Sequence, residues 1–65
     1  MNAMKKETGL TPQEAGALVG CSAYTIKELA RGGRSPFYKV GSMYRFTRST
    51  LIEWMSEQET RNYKD

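Results

Sequence analysis

The stretch that decides the fold is residues 10–31, LTPQEAGALVGCSAYTIKELAR. Thr11 is suited to cap a helix, a proline follows at the first helical position, and Glu14 stands where a capping box places its acid. Apolar residues then recur at helical spacing until Gly20, a residue typical of helix ends. Gly16 lies inside this helix and is predicted to cost about 0.5–1 kcal/mol relative to alanine. The pattern predicts a helix of about two turns, too short to be stable alone.

A second helix is predicted directly after the first. Ser22 is suited to cap it, and Ile26 and Leu29 fall on one face. The pair Gly32-Gly33 is expected to end it. Only residues 20–22 connect the two helices. Two short helices joined so tightly, with a glycine in the turn, predict a helix-turn-helix unit.

The next segments predict a β-hairpin. Residues 37–40 (FYKV) and 44–47 (YRFT) are rich in aromatic and β-branched residues, and residues 41–43 (GSM) lie between them. Alternation across this three-residue loop places four apolar side chains on one face: Tyr38, Val40, Tyr44 and Phe46. The other face then carries Lys39 and Arg45, opposite each other.

A last helix is predicted from Thr47, or from Ser49 if its boundary shifts. Trp54 is expected to be the largest single piece of the core. The whole chain, residues 1–65, is interpreted as one domain with an ordered core of about residues 10–57. The order helix, helix, hairpin, helix predicts an α+β fold that is mainly α. The ends, residues 1–10 and 61–65, are expected to be mobile or frayed.

The composition limits the chemistry. The chain has no histidine and one cysteine, Cys21, which excludes a Ser–His or Cys–His catalytic pair, an internal disulfide and a Cys/His metal site. A domain of this size buries only about 60% of the surface of its unfolded chain, which leaves few apolar residues to line a substrate pocket. The apolar runs are too short for a transmembrane helix or a signal peptide. The sequence predicts a binding protein, not an enzyme, with no cofactor.

The net charge of +3 is unevenly distributed. Residues 27–48 contain six basic residues and one acid, a balance of +5, while the rest of the chain has four basic and six acidic residues, a balance of −2. This pattern predicts a polyanionic partner. The apolar face of the second helix is narrow and needed for the core, which favours nucleic acid over a membrane surface. The opposite face has a spacing that suits the major groove of duplex DNA, with Tyr24, Lys27, Glu28 and Arg31.

Three segments together resemble the small excisionase-type helix-turn-helix family, relatives of the MerR winged-helix DNA-binding domain. The first is residues 10–29, which contain LTPQEA, GCS, TI and a leucine in that order. The second is residues 37–46 (FYKVGSMYRF), which match the wing of that family. The third is residues 51–54 (LIEW), which match its closing helix. The resemblance covers roughly residues 10–55 and implies a small winged helix-turn-helix fold.

The resemblance also implies how DNA is bound. The second helix is expected to lie in the major groove, and the hairpin, or wing, to contact the adjacent backbone or minor groove. The positions on the reading helix are Ser22, Tyr24, Thr25, Lys27, Glu28 and Arg31. The positions on the wing and its flanks are Arg34, Lys39, Ser42, Met43, Arg45 and Arg48.

Some of these residues have two interpretations. Tyr24 either contacts DNA or lies over the helix surface. Glu28 either accepts a hydrogen bond from cytosine or pairs with a neighbouring cation such as Arg31 and orients it. Lys39 and Arg45, as like charges opposite each other, destabilise a hairpin, so their presence without a nearby acid favours a role facing DNA.

Many members of the family are excisionases of phages and conjugative elements, and others are small transcriptional regulators. The resemblance therefore implies a recombination directionality factor that binds double-stranded attachment-region DNA, bends it and helps an integrase. Neighbouring copies are expected to contact each other on DNA, whereas the free protein is expected to be a monomer. Its expected location is the cytoplasm of a bacterium, and its gene is expected to be bacterial or carried by a phage. The alternatives are a helix-turn-helix transcriptional regulator and, from another class, a protein-interaction module such as an anti-repressor.

Overall fold

The computed structural model of the protein describes residues 9–63, so most of the first predicted mobile end, residues 1–8, and the last two residues of the other, 64–65, lie outside the described residues. Its elements are α1 (Pro12–Val19), α2 (Ala23–Arg31), β1 (Tyr38–Val40), β2 (Met43–Arg45) and α3 (Arg48–Tyr63). The order helix, helix, hairpin, helix confirms the predicted mainly helical α+β fold of the winged helix-turn-helix type.

α1 begins with the predicted capping box. The Glu14 amide donates to Oγ1 of Thr11 at 3.1 Å, and the Thr11 amide donates to Oε1 of Glu14 at 2.9 Å. The helix ends at Gly20, whose φ of 97° lies in the left-handed region that glycine adopts without strain. The residues that the sequence marks as start and stop signals therefore fix both ends of α1.

Gly16 belongs to a tight contact between α1 and the turn that follows it. It is buried, and its carbonyl accepts hydrogen bonds from the amides of Gly20 at 2.7 Å and Cys21 at 2.9 Å. A methyl group on its Cα would lie 2.6 Å from the carbonyl oxygen of Cys21 and 3.1 Å from that of Ser22. Glycine allows the turn to pass directly against the helix, and this close approach outweighs its lower helix propensity.

The segment after α2 is held by the helix end. The Arg34 amide donates to the Leu29 carbonyl at 2.8 Å and the Gly33 amide donates to the Ala30 carbonyl at 2.9 Å. With Gly33 at a φ of 74°, these bonds form a Schellman motif, so the glycine pair ends α2 as predicted. Ser35 follows; it is buried, and no described residue makes a hydrogen bond to its hydroxyl.

The core lies where the three helices meet the base of the hairpin. Its fully buried members are Ala15, Ile26, Ala30, Phe46 and Leu51. The largest of them is Phe46, not Trp54, so the prediction for Trp54 was wrong. Trp54 packs only partly buried against this cluster, because it lies one turn beyond Leu51 where α3 leaves the core. After Met55, the described side chains up to residue 62 are exposed except for the half-buried Gln58.

Phe46 also ties the start of the domain to the hairpin. Its amide donates to the Leu10 carbonyl at 3.1 Å, and the Leu10 amide donates to the Phe46 carbonyl at 2.7 Å. Leu10, which the sequence placed in the mobile lead-in, is therefore fixed by an antiparallel bridge. The Phe46 ring is completely buried, so the same residue joins the hairpin to the helices.

The register of the hairpin differs from the prediction. The strands pair Tyr38 with Arg45, Lys39 with Tyr44, and Val40 with Met43, which leaves a loop of two residues instead of three. The first loop residue, Gly41, has a φ of 67°, as the first position of a type II′ turn requires. Side chains alternate between the two faces of a hairpin along each strand. A shift of one residue in the pairing therefore moves every side chain of one strand to the opposite face relative to its partner strand.

Two predictions about the faces of the hairpin are therefore wrong. Lys39 shares its face with Tyr44, and the predicted apolar face that combined Tyr38 and Val40 with Tyr44 does not form. Arg45 lies opposite Tyr38, so the predicted like-charge pair of Lys39 and Arg45 does not exist.

α3 extends beyond the predicted ordered core, which ends at about residue 57. The Leu51 amide donates to the Thr47 carbonyl at 2.9 Å, which places the helix start next to the first predicted boundary, and the helix continues to Tyr63. Residues 61–63, expected to be frayed, are helical. Residues 48–63 contain no glycine or proline, and many are good helix formers such as Glu, Gln, Arg and Met. The polar residues after Met55 therefore belong to a solvent-exposed continuation of the helix and do not end it.

The contact at Gly16 predicts an unusual mutational result. Gly16→Ala is expected to lower the free energy of unfolding by about 1–3 kcal/mol, since the added methyl group meets the backbone of the turn. Helix propensity alone predicts the opposite sign, a gain of about 0.5–1 kcal/mol. Thermal unfolding followed by circular dichroism measures the change. Ala17→Gly, at the exposed neighbouring position, is the control for propensity. Stabilisation by Gly16→Ala would contradict the close contact.

Candidate nucleic-acid interface

α2 presents two different faces. Ile26 and Ala30 are fully buried, whereas Tyr24 is 71% exposed and Lys27 is exposed beside it. Thr25, Glu28 and Arg31 are exposed as well. The predicted separation of a core face from a polar face is therefore present, and a nine-residue helix with one free polar face has the dimensions that the major groove admits.

The first turn of α2 is held by two hydroxyl groups. Oγ of Ser22 accepts from the Thr25 amide at 3.1 Å and donates to Oγ1 of Thr25 at 3.0 Å. Ser22 thus acts as the helix cap, and its hydroxyl proton is already used. Thr25 still has its own hydroxyl proton to donate to a ligand, so of the two residues Thr25 is the better placed to contact a phosphate or a base.

The last turn of α2 carries an ion pair. Nη2 of Arg31 lies 3.4 Å from Oε2 of Glu28, one turn earlier, and both side chains are exposed. An exposed pair of this kind contributes little to stability, but it limits the orientations of the guanidinium. This geometry favours the second of the two interpretations of Glu28, in which the carboxylate orients Arg31. In the part of the chain that the structure describes, Lys27 has no such ion pair.

Lys39 is held on the wing by aromatic rings. Its Nζ lies 5.0 Å from the centroid of the Tyr44 ring, within the range of a cation–π contact. Tyr44 in turn packs against Phe37, with ring centroids 5.3 Å apart and an angle of 36° between the planes. The side chain of Lys39 remains exposed, so the rings limit its orientations without removing its charge from solvent.

Arg45 is directed along the wing instead of away from it. Its Nη1 donates to the Tyr44 carbonyl at 2.9 Å, and its Nη2 lies 3.7 Å from the Met43 sulfur as a donor. It is the one predicted site residue that is half-buried; the other eleven are exposed. Arg34, Ser42 and Arg48 are exposed in the segments around the strands.

The match to a family model agrees with this geometry. A model described as a helix-turn-helix domain matches residues 10–59. The chain belongs to the helix-turn-helix domain family. This is a DNA-binding family, and the match spans α1, the turn, α2, the wing and most of α3. No curated protein and no solved structure matches the chain at a significant level.

The positive charge of this helix-turn-helix domain is concentrated in one part of the sequence. Residues 29–52 contain no acid and five basic residues, Arg31, Arg34, Lys39, Arg45 and Arg48. This segment includes the end of α2, the wing and the start of α3. A duplex with a charge on every phosphate is a suitable partner for such a segment.

A metal site, a pocket and a membrane-spanning helix each place their own requirements on the described residues. Among residues 9–63, no three His, Cys, Asp or Glu side chains come together as a metal site needs. A surface groove on α3 is lined by residues of that helix alone, Glu53, Ser56, Glu57, Thr60 and Arg61. Within the same residues, none of the helices has the length and apolar character to cross a membrane.

Tyr38 and Val40 of the wing are exposed, although the sequence predicts that both face the core. That prediction depends on a three-residue loop, whereas the loop has two residues. The signal that could have corrected this is the dipeptide Gly41-Ser42, since a glycine at the first position is typical of two-residue type II′ turns.

The hydrogen bonds of Ser22 predict a loss of stability. Ser22→Ala is expected to lower the free energy of unfolding by about 1 kcal/mol, because the Thr25 amide loses its acceptor at the start of α2. Thr25→Ala removes the other hydroxyl but leaves the cap, so it is the matched control and should change stability little. Thermal unfolding of both variants measures the difference. Equal losses in the two variants would contradict the assignment of Ser22 as the cap.

Proposed function

We propose that this helix-turn-helix domain is an excisionase of a phage or another mobile element. In this role it binds several sites in an attachment region, bends the DNA and promotes excision by a separate integrase. The observation that carries the proposal is the exposed polar face of α2 followed by an acid-free basic segment that includes the wing. The excisionase role itself is supported by the resemblance of the helices and the wing to that family.

α2 is the reading element of this proposal. Lys27 and Arg31, exposed on consecutive turns, contact guanine or the phosphates that flank it, and Glu28 fixes the guanidinium of Arg31. Tyr24 and Thr25, in the first turn, offer hydroxyl groups to the backbone or to a base edge. Ser22 supports them as the cap of the helix.

The wing and its flanks supply the contacts that do not depend on the DNA sequence. Lys39, Arg34 and Arg48 are exposed and bind phosphates next to the site of α2, while Ser42 lies in the turn. About six phosphate contacts in all would make log K fall with log salt at a slope near −5.

The remaining parts of the proposal follow from the small size of the reading surface. A single α2 reads only a few base pairs, so useful specificity needs adjacent copies on DNA or an integrase partner. The protein acts without catalysis of its own, in the cytoplasm of a bacterium. A transcriptional regulator of the same fold would use the same surfaces, and the two functions differ in where the sites lie.

Selection from a random duplex library at near-physiological salt tests the function. Closely spaced direct repeats are expected in the bound fraction, as several adjacent copies would require. A single palindromic site would overturn the excisionase and indicate a dimeric regulator. Binding that is lost with salt and enriches no DNA sequence would overturn both the excisionase and the regulator. Specificity would then come from a protein partner, as expected for an anti-repressor.

Removal of the two cations of α2 tests the reading element. Lys27→Ala combined with Arg31→Ala is expected to weaken binding to the selected duplex by at least about tenfold and to make the salt slope about 1 to 2 less steep. Fluorescence anisotropy titrations at several salt concentrations measure both quantities. Arg61→Ala on α3 is the matched control, since Arg61 is also an exposed cation. Equal effects of the control and the double variant would contradict a special role for α2.

A further inference from the structure

The tip of the wing is apolar. Val40 and Met43 face each other directly across the two-residue turn, and each is 49% exposed. Residues that lie opposite each other in a hairpin project from the same face, so the two side chains form one small apolar surface, here called the wing tip. Neither side chain belongs to the core or packs against it.

Arg45 lies next to the wing tip. Its guanidinium donates to the Met43 sulfur and to the Tyr44 carbonyl, so the charged group lies beside the thioether on the same face. Lys39 lies on the opposite face of the hairpin, over the Tyr44 ring. Arg45 therefore flanks the apolar pair on its own face, and Lys39 places a second cation on the other face of the hairpin.

The charge around the wing tip indicates what it meets. The nearest acids in the sequence are Glu28 and Glu53, and the residues between them carry five positive charges. An apolar pair beside cations suits a groove of a duplex, where phosphates line both edges and the apolar faces of the bases become accessible when a base step opens. Side chains such as methionine act in this way in minor-groove proteins that unstack a base step and bend the helix.

We propose that Val40 and Met43 form a wedge that enters the minor groove of the bound duplex and opens one base step. The proposal rests on the DNA binding proposed above and assigns the bending to the wing tip. Pyrimidine–purine steps such as TA unstack most readily, so the wedge favours them at its position without a hydrogen bond to any base. The flanking cations bind the phosphates at the two edges of the groove.

The test uses the duplex most enriched in the selection, with fluorophores at its ends and 2-aminopurine at the step next to the α2 site. Binding of the full chain is expected to shorten the distance between the ends and to raise the 2-aminopurine fluorescence. A TA step at this position is expected to bind about tenfold more tightly than an AA step. The variant Val40→Thr with Met43→Gln keeps the shapes of both side chains while making them polar. It should lose the bend, the fluorescence increase and the step preference.

Two controls separate the possible outcomes. Ile52→Asn replaces a comparable exposed apolar residue on α3 and should leave all three signals unchanged. Thermal unfolding of the wing-tip variant checks that it remains folded. If wild-type protein binds no duplex, the proposed function fails. If it binds and the wing-tip variant keeps the bend and the fluorescence, the wedge is overturned while the function stands. If the variant loses only self-association on sedimentation, the wing tip contacts a second copy and the wedge is also overturned.

Discussion

The rest of the structure depends on the close approach of the turn to α1 at Gly16. The backbone of Cys21 and Ser22 passes where a side chain at Gly16 would otherwise lie. This contact determines the short distance between α1 and the start of α2. Ser22, which takes part in the contact, is also the N-cap of α2. The position of the exposed polar face of α2 therefore follows from a packing constraint between two backbones. Ile26 and Ala30 then fix the rotation of α2, because their burial directs the opposite face to solvent.

A second constraint joins the wing to this helix pair. Phe46 is the largest fully buried residue, and its backbone pairs with Leu10 immediately before α1. The hairpin has only two short strands, which are marginal alone, so its stability comes from this attachment. The attachment lies at the base of the hairpin. The turn at the other end does not pack against the core, and the residues beside it, Val40 and Met43, are exposed to solvent.

The sequence predicted the helices better than the hairpin, for a physical reason. Helix limits depend on local signals, such as the Thr11 capping box and the glycines at 20 and 32–33, and these formed as expected. The faces of the hairpin depend on the length of its loop, so an error of one residue at Met43 moved Tyr44 and Arg45 to the wrong sides. The burial of Phe46 instead of Trp54 depends on where α3 leaves the core, which periodicity does not reveal.

The exposed ion pair of α2, Glu28 with Arg31, contributes little to the stability of the fold, and this affects what the domain can recognise. The residues at these two positions can therefore change while the fold is kept. A helix of nine residues is only about 13 Å long, which limits direct reading to a few base pairs, each worth about 1–3 kcal/mol. Discrimination beyond that has to come from the deformability of the DNA or from further copies. A wing that reads how easily a base step opens would add specificity without adding a second reading helix.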